Sequence, residues 1–417
     1  MKMPTVGVDF GTCNSTCSVL LPNGDIHQVR LEEGRKNEFT LPSWWYYPEG
    51  SRKPVIGSAA KDAYIDNFYG GRFITSVKTH LRDLSLRSTR ISGKLVTLEE
   101  IVASLLEQIR TTVEKNYGNI DRLIAGRPVH LADSEKEDQQ VEMRIGRAFE
   151  LAGFPVPTFV SEPVAAAYAY KQTIQSPQLA LIADFGGGTL DYSVAHLQPI
   201  GSAKQDEVLG VSGTRIGGED LTAATMRIFW EYFGYDCKVL DFTRKQHHNM
   251  PHRFFHELSQ WTNLWKFQSF REDVFGFIGW GSTDPKGLER LAALLDEDCY
   301  YDFLAHMEEL KFSLSAKEVV PFNYHSGPIE LDKAIHRSEF ERHAEKYIEK
   351  ARRILHEALD NSRIEPEDIE AVFLTGGSSQ VPAFRRMIET VFDSSLIHSG
   401  DYFTSVSQGL AAYGISQ

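Results

Sequence analysis

Apolar residues recur along this chain at two different periods. Near the start they come in short alternating runs that predict strands. Val6-Gly7-Val8 leads into Asp9-Phe10-Gly11-Thr12, and Cys17-Ser18-Val19-Leu20-Leu21 follows. Pro22-Asn23-Gly24-Asp25 then reads as a hairpin turn into Ile26-His27-Gln28-Val29. Further on the period lengthens to that of a helix. Leu98, Ile101, Val102, Leu105, Leu106, Ile109 and Val113 form one apolar face behind a Thr97/Glu100 capping box. A strand at Leu123-Ile124-Ala125 follows, then a second capped helix opened by Ser134 and Glu137 and stopped at Gly153.

The opening pattern returns later. Leu179-Ala180-Leu181-Ile182-Ala183 runs into Asp184-Phe185-Gly186-Gly187-Gly188-Thr189, and Leu190-Asp191-Tyr192-Ser193-Val194 continues as another strand. Strand, Asp-Phe-Gly, small polar turn and strand occur twice, which predicts two lobes of related design. A third glycine turn, Thr375-Gly376-Gly377-Ser378, lies between the strand Ala371-Val372-Phe373-Leu374 and a helix from Val381. From about Tyr235 to Lys286 no clear period is visible. That stretch is rich in aromatics and histidines, including Trp261, Trp265 and Trp280, and reads as part of a subdomain inserted in the second lobe. Its tryptophans fit a partner surface or core packing equally well. No low-complexity linker divides the chain, so the lobes are expected to pack together.

Composition adds mainly exclusions. The 417 residues are 42% hydrophobic and 24% charged, the profile of an ordinary globular protein. A net charge of -13, without a Lys/Arg cluster, argues against nucleic acid as a partner. It does not argue against a nucleotide, whose phosphates are held largely by backbone N–H groups and a metal ion. The first residues lack the apolar core of a signal peptide, and no apolar run approaches the roughly 18 residues of a membrane span. Cys13, Cys17, Cys237 and Cys299 are too few and too scattered for a disulfide framework, so a cytoplasmic location is expected.

Two loops stand out chemically. A strand that ends in Asp and turns through Gly brings backbone N–H groups to phosphate oxygens and a carboxylate to a metal or its water shell. Asp9-Phe10-Gly11-Thr12 alone does not separate that role from a plain turn. Asp184, three successive glycines, Thr189 and Asp191 point more firmly to something approaching the backbone closely. No P-loop motif and no dinucleotide fingerprint is present. Protein kinases also carry Asp-Phe-Gly, but their H-R-D loop and V-A-I-K strand are missing here. His247, His248, His252 and His256 form a weaker metal candidate, since no Cys or carboxylate completes a tetrahedral spacing.

These loops resemble the phosphate loops of the DnaK-type heat-shock chaperones. Gly7 through Ser15 looks like the first loop, and Asp184 through Asp191 like the second. Ser161 through Tyr170 is similar to the family's connecting segment, and Ile216-Gly217-Gly218-Glu219-Asp220 to another signature. Glu308, Lys311 and Ser315 have the spacing of its adenosine-binding helix. Leu374 through Pro382 resembles its second adenosine loop, and Gly409 through Ala412 its closing helix. The motifs keep the family's order over nearly the whole chain, and among its branches they resemble the short YegD-like one.

The resemblance implies an α/β actin-like ATPase fold, with two lobes, each a mixed β-sheet with helices, and a nucleotide cleft between them. Lobe I would cover 1–178, with about 32–96 inserted. Lobe II would cover 179–398, with about 221–335 inserted, and 399–417 would return to lobe I as a C-terminal helix. ATP or ADP with Mg²⁺ would be the cofactor. Asp9, Asp184 and Asp191 would serve the metal, Asp9 and Asp184 through its water shell. Gly11, Thr12, Cys13, Asn14, Gly186, Gly187, Gly188 and Thr189 would surround the phosphates. Gly217, Gly218, Glu219, Glu308, Lys311, Ser315, Gly376, Gly377 and Ser378 would complete the nucleotide site. Lys78, Glu162, Asp184 and Thr189 would be catalytic, with Lys78 reaching the terminal phosphate and the attacking water.

Departures from the family pattern fall mostly on the base side. Cys13 replaces a hydroxyl residue of the first loop, Phe312 follows Lys311, Gln380 replaces an Arg, and Phe403 replaces an acidic residue. The sequence given stops after the closing helix, so a peptide-binding domain is not expected on it. The expected function is therefore a slowly hydrolysing, chaperone-like Mg-ATPase acting as a conformational switch, with a protein client or co-chaperone as partner. An actin-like filament protein and a small-molecule kinase of the same superfold are the alternatives.

Overall fold

The computed structural model describes residues 4–67, 70–241, 246–258, 267–400 and 403–414. Trp261 and Trp265 lie outside the described residues. Two compact units emerge: Met1–Gly218 with Lys350–Gln417, and Glu219–Glu349.

The first unit contains two sheets built on one plan. In the first, Thr5–Phe10 runs antiparallel to Asn14–Leu20 and parallel to Arg122–Arg127, with Thr158–Ser161 beyond and Ile26–Gln28 on the other side. In the second, Gln178–Phe185 runs antiparallel to Leu190–Leu197 and parallel to Ala371–Thr375, flanked by Glu207–Thr214 and Ile397–Ser399. Each sheet thus centres on a hairpin plus a parallel neighbour, and this is the repeat visible in the sequence. The central strands are buried on both faces, so they read as near-continuous apolar runs.

Helices fix the sheets. Leu98–Tyr117 starts at the expected capping box: Thr97 Oγ1 accepts from the Glu100 N–H, and Glu100 accepts from the Thr97 N–H. Its predicted apolar face is buried throughout. Glu135–Leu151 is capped by Ser134 and ends one turn residue before Gly153, whose φ of 84° favours glycine. The closing helix, Ser405–Tyr413, packs on Glu162–Lys171 and on the first hairpin. A Cβ on Gly7 would lie 2.6 Å from the Ala411 nitrogen, so this strand must carry glycine where the helix crosses it.

The second unit is helical and aromatic. Phe229, Phe233, Phe303 and Phe322 meet at ring centroid distances of 4.9–6.5 Å. The stretch that showed no period contains a two-stranded ladder, Lys238–Asp241 with Gln246–Asn249, and the helices Arg253–Leu258 and Phe267–Trp280. Val274-Phe275-Gly276-Phe277-Ile278-Gly279-Trp280 is apolar nearly all round, which hides a helical period. Only Phe267 and Val274 of this helix are fully buried, while Phe275 and Trp280 stay about half exposed. Among the described residues no helix is long and apolar enough to cross a membrane.

Candidate active site

The two Asp-Phe-Gly turns of the first unit meet where Gly187 and Gly188 of the second turn face Cys13 and Thr12 of the first. A Cβ on Gly188 would lie 2.7 Å from Thr12 Oγ1, and one on Gly187 would lie 2.7 Å from Cys13 Sγ. A Cβ on Gly217 would fall within the Gly187–Gly188 peptide. Gly376, at φ 80°, passes so close to Phe185 and Asp184 that a Cβ would sit 2.7 Å from Asp184 Oδ1. Side chains are excluded at these positions for steric reasons, which leaves backbone as the lining.

Hydrogen bonds hold the turns in place. The Gly186 N–H donates to the Thr189 carbonyl at 2.8 Å, and the Gly218 N–H donates to the Gly186 carbonyl at 3.1 Å. Ser378 Oγ donates to the same Gly186 carbonyl at 3.1 Å. On the first turn, Ser43 Oγ donates to the Gly11 carbonyl at 3.0 Å and the Ser43 N–H to the Cys13 carbonyl at 2.8 Å. Asn14 begins the second strand of its hairpin.

Beside the turns lies a charge cluster. Lys78, 3% exposed, forms an ion pair with Glu162, 7% exposed, at 3.1 Å. Lys78 sits on the short helix Val77–Leu81, entered through Ser76 in the left-handed region at φ 47°. A non-glycine residue there is strained, and the Ser76 N–H is tied to the Ser43 carbonyl at 3.0 Å. Glu162 opens the helix Glu162–Lys171, with Pro163 in its first turn.

Asp9, Asp184 and Asp191 complete the cluster. Burial first, and the neighbouring Glu162 next, push Asp9 up to about 7, with Lys78 opposing. The same causes, joined by Asp9 and Asp191, hold Asp184 well above the ordinary carboxylate range. Asp191 is pushed up to about 7 by burial and Glu162, against hydrogen bonds from the Val129 N–H and Thr189. Its Oδ1 accepts from the Val129 N–H at 2.9 Å, while the buried Oδ2 lacks a partner.

Four carboxylates against Lys78, with Arg82 also acting on Asp191, leave an excess of negative charge in a poorly solvated place. Raised acids and an orphaned carboxylate oxygen fit a divalent cation there. Among the described residues no three His, Cys, Asp or Glu side chains are arranged to hold a metal directly. A cation held through its own water shell is what this donor set suits.

Several further sequence candidates belong to the second unit. Glu308, Lys311 and Ser315 share the helix Glu297–Ala316 in the second unit. Lys311 Nζ donates to Thr222 Oγ1 at 2.9 Å, Ser315 Oγ donates to the Lys311 carbonyl, and Phe312 is 57% exposed. Glu219 begins that unit on the helix Gly218–Arg227. Gly377 lies on a 3-10 turn, Gly377–Gln380, which precedes the helix Pro382–Glu389 expected from Val381. Phe403 packs against it, 3.2 Å from where a Gly377 Cβ would be. His252 stacks on Tyr235 and His256 meets Trp230 edge-on, so the two histidines face different rings. Cys17 is buried, and burial pushes its thiol up, which makes it inert. Ser43, Ser76 and Val129 were not anticipated. They act largely through backbone atoms, and no residue pattern announces that.

Comparison with known proteins gives a match to the family model described as Hsp70 protein, over residues 5–253 and 289–414. The chain is similar to Chaperone protein dnaK1 of Synechocystis sp., at 28% identity over 97% of this chain and 53% of that protein. It is also similar to Chaperone protein DnaK of Mycoplasmopsis agalactiae, at 24% identity over 99% of this chain and 58% of the relative. For DnaK of Thermosipho melanesiensis the values are 24%, 94% and 55%. The chain spans little more than half the length of these relatives.

Proposed function

The chain belongs to the Hsp70 family, with its actin-like ATPase fold, and from that premise we propose that it binds Mg-ATP at the paired glycine turns and hydrolyses it slowly. The observation that carries this reading is the buried Lys78–Glu162 pair among Asp9, Asp184 and Asp191, directly beside the backbone cradle. Phosphoryl transfer requires positioning and charge neutralisation more than covalent chemistry from the protein.

The roles divide as follows. N–H groups of Gly186, Gly187 and Gly188 receive the terminal phosphate, aided by the Thr12 and Thr189 hydroxyls. Asp9 and Asp184 would hold the cation, which would neutralise phosphate charge. Glu162 and Asp191 order the attacking water, and Lys78 supplies the positive charge next to the phosphate. Glu308, Lys311, Ser315 and the Gly376–Ser378 turn serve the nucleoside. Cys13 removes one hydroxyl from the first turn, and Phe312, Gln380 and Phe403 alter the base side, so affinity and base preference are expected to differ from the family pattern.

Hydrolysis then works as a timed switch for a protein client or co-chaperone. Taking a two-state protein from mostly open to mostly closed requires roughly 5.5 kcal/mol of differential binding. Two or three charge-assisted hydrogen bonds to the terminal phosphate, at about 1.5–3 kcal/mol each, supply that. The test is small-angle scattering of the protein with Mg-ADP and with a non-hydrolysable Mg-ATP analogue. The switch requires two distinct profiles, and superimposable profiles would sink it.

A further inference from the structure

Segment 254–288 falls between the two stretches that match the family, and it begins in the helix Arg253–Leu258. That helix brings His256 to an aromatic and cationic cluster within the second unit. Arg227, the last residue of Gly218–Arg227, sets its guanidinium carbon 5.2 Å from the Trp230 ring and 5.9 Å from the Tyr347 ring. Lys346 Nζ lies 4.6 Å from the same Tyr347 ring. His256 meets Trp230 edge-on at 5.7 Å, and Tyr235 packs on Trp230 at 5.0 Å. His343 shares a face of the helix Arg337–Ser362 with Lys346 and Tyr347, at i, i+3 and i+4.

Two buried donors in this cluster, Arg227 Nε and Trp230 Nε1, have no acceptor. A guanidinium beside aromatic rings still needs acceptors for its N–H groups. Arg82, Arg271 and Arg352 also carry buried N–H groups without an acceptor, but Arg227 and Trp230 are two such donors placed against each other, which points to a shared ligand. Among the described residues neither Arg227 nor Lys346 forms an ion pair with a carboxylate. His256 and Lys346 are exposed and rim the cluster.

Charges in the neighbourhood agree. Burial, then Arg227, His252 and Lys346, hold His256 below the ordinary histidine value, with Glu257 opposing. Burial, then Arg342 and Arg227, do the same to His343, against Glu339 and Glu231. Lys346 is lowered by burial and Arg227, with Asp220 opposing. Glu339 is already engaged by Lys333 at 2.8 Å and by the His336 N–H. Asp220 and the Tyr347 hydroxyl answer part of this positive character, and the Arg227 Nε–H and Trp230 indole N–H remain without an acceptor.

We propose that Arg227, Trp230, His256, His343 and Lys346 form a binding site for a small tetrahedral oxyanion of the phosphate class. Guanidinium, indole, ammonium and imidazole donors from separate segments suit a ligand with three or four acceptor oxygens better than a planar carboxylate. Binding draws protons onto the two histidines, so affinity rises as pH falls.

The test uses the whole chain and follows the Trp230 indole N–H in ¹H–¹⁵N spectra, assigned with Trp230→Phe. Sodium sulfate, whose charge is constant between pH 6 and 8, is titrated at fixed ionic strength. The expected result is a saturable shift of that peak, with affinity severalfold higher at pH 6 than at pH 8. Arg227→Gln is expected to weaken binding at least tenfold, and Lys346→Ala severalfold. Arg227→Lys, which keeps the charge but loses the guanidinium fork, guards against a folding failure and is also expected to weaken binding severalfold. A shift reproduced by chloride or matched by acetate, or one unchanged in Arg227→Lys and Lys346→Ala, overturns the proposal. Inorganic phosphate and phenyl phosphate then separate the sources: tighter binding of phenyl phosphate assigns the site to esters, and equal binding to the free anion.

Discussion

The glycine turns of the first unit and the aromatic helices of the second solve opposite problems. Around the turns, backbone approaches backbone, and Cβ atoms on Gly187 or Gly188 would meet side chains at 2.7 Å. In the helix Phe267–Trp280, a Cβ on Gly279 would meet nothing within 4 Å. Charges at the turns are buried, with Lys78 paired to Glu162 and three aspartates left in excess. In the second unit Phe275 and Trp280 remain 52% and 51% exposed. A site that must receive phosphates with N–H groups has few sequence solutions, whereas aromatic packing has many. The contrast teaches that the same residue type carries different information in the two regions: glycine is a steric requirement in one and a tolerated weakness in the other.

The largest effect is expected at the buried charges. Lys78→Met leaves Glu162 buried without its ion-pair partner and Asp9 and Asp184 without the opposing lysine, and should destabilise the protein by about 3–5 kcal/mol, while slowing ATP turnover at least ~100-fold. Glu162→Gln should destabilise less, because Glu162 is the main neighbouring charge that holds Asp9 and Asp191 up. Urea unfolding of both variants checks the order, and the reverse ranking would contradict the charge assignment. Next comes Gly187→Ala, expected to cost about 1–3 kcal/mol through overpacking against Cys13. The double variant with Cys13→Ala should recover part of that loss in a thermal melt.

Legibility follows the same divide. The strands into Asp9 and Asp184, the repeated hairpin and the Thr97/Glu100 box could be read because each depends on neighbours in sequence. Lys78 could be placed only by family resemblance, since its partner Glu162 lies 84 positions away. Ser43, Ser76 and Val129 support the site largely through backbone groups that any residue supplies. The helix Phe267–Trp280 was hidden by its second half, Val274–Trp280, where apolar residues and glycines lie on nearly every side.

Two smaller predictions sharpen the comparison. Thr97→Ala should remove about 1 kcal/mol at neutral pH by breaking the capping box. Hydrogen bonds from the Thr97 N–H and hydroxyl lower the Glu100 pKa, so that contribution is present above the ordinary glutamate value and is lost as pH falls through the lowered one. The Thr97→Ala effect should therefore shrink in strongly acidic urea titrations. Gly279→Ala should instead stabilise by about 0.5–1 kcal/mol, because the site is open and helical. A loss at Gly279 as large as that at Gly187 would erase the distinction between the two regions.

The most direct measurement is calorimetric binding and turnover of Mg-ATP by the wild type, Asp184→Ala and Lys78→Ala, with folding checked by circular dichroism. Binding and slow hydrolysis by the wild type are expected, with binding weakened at least ~10-fold in folded Asp184→Ala and turnover, not binding, lost in Lys78→Ala. A folded wild type that binds no nucleotide, or variants that match it in both binding and turnover, would contradict the assignment of the paired turns as the phosphate site.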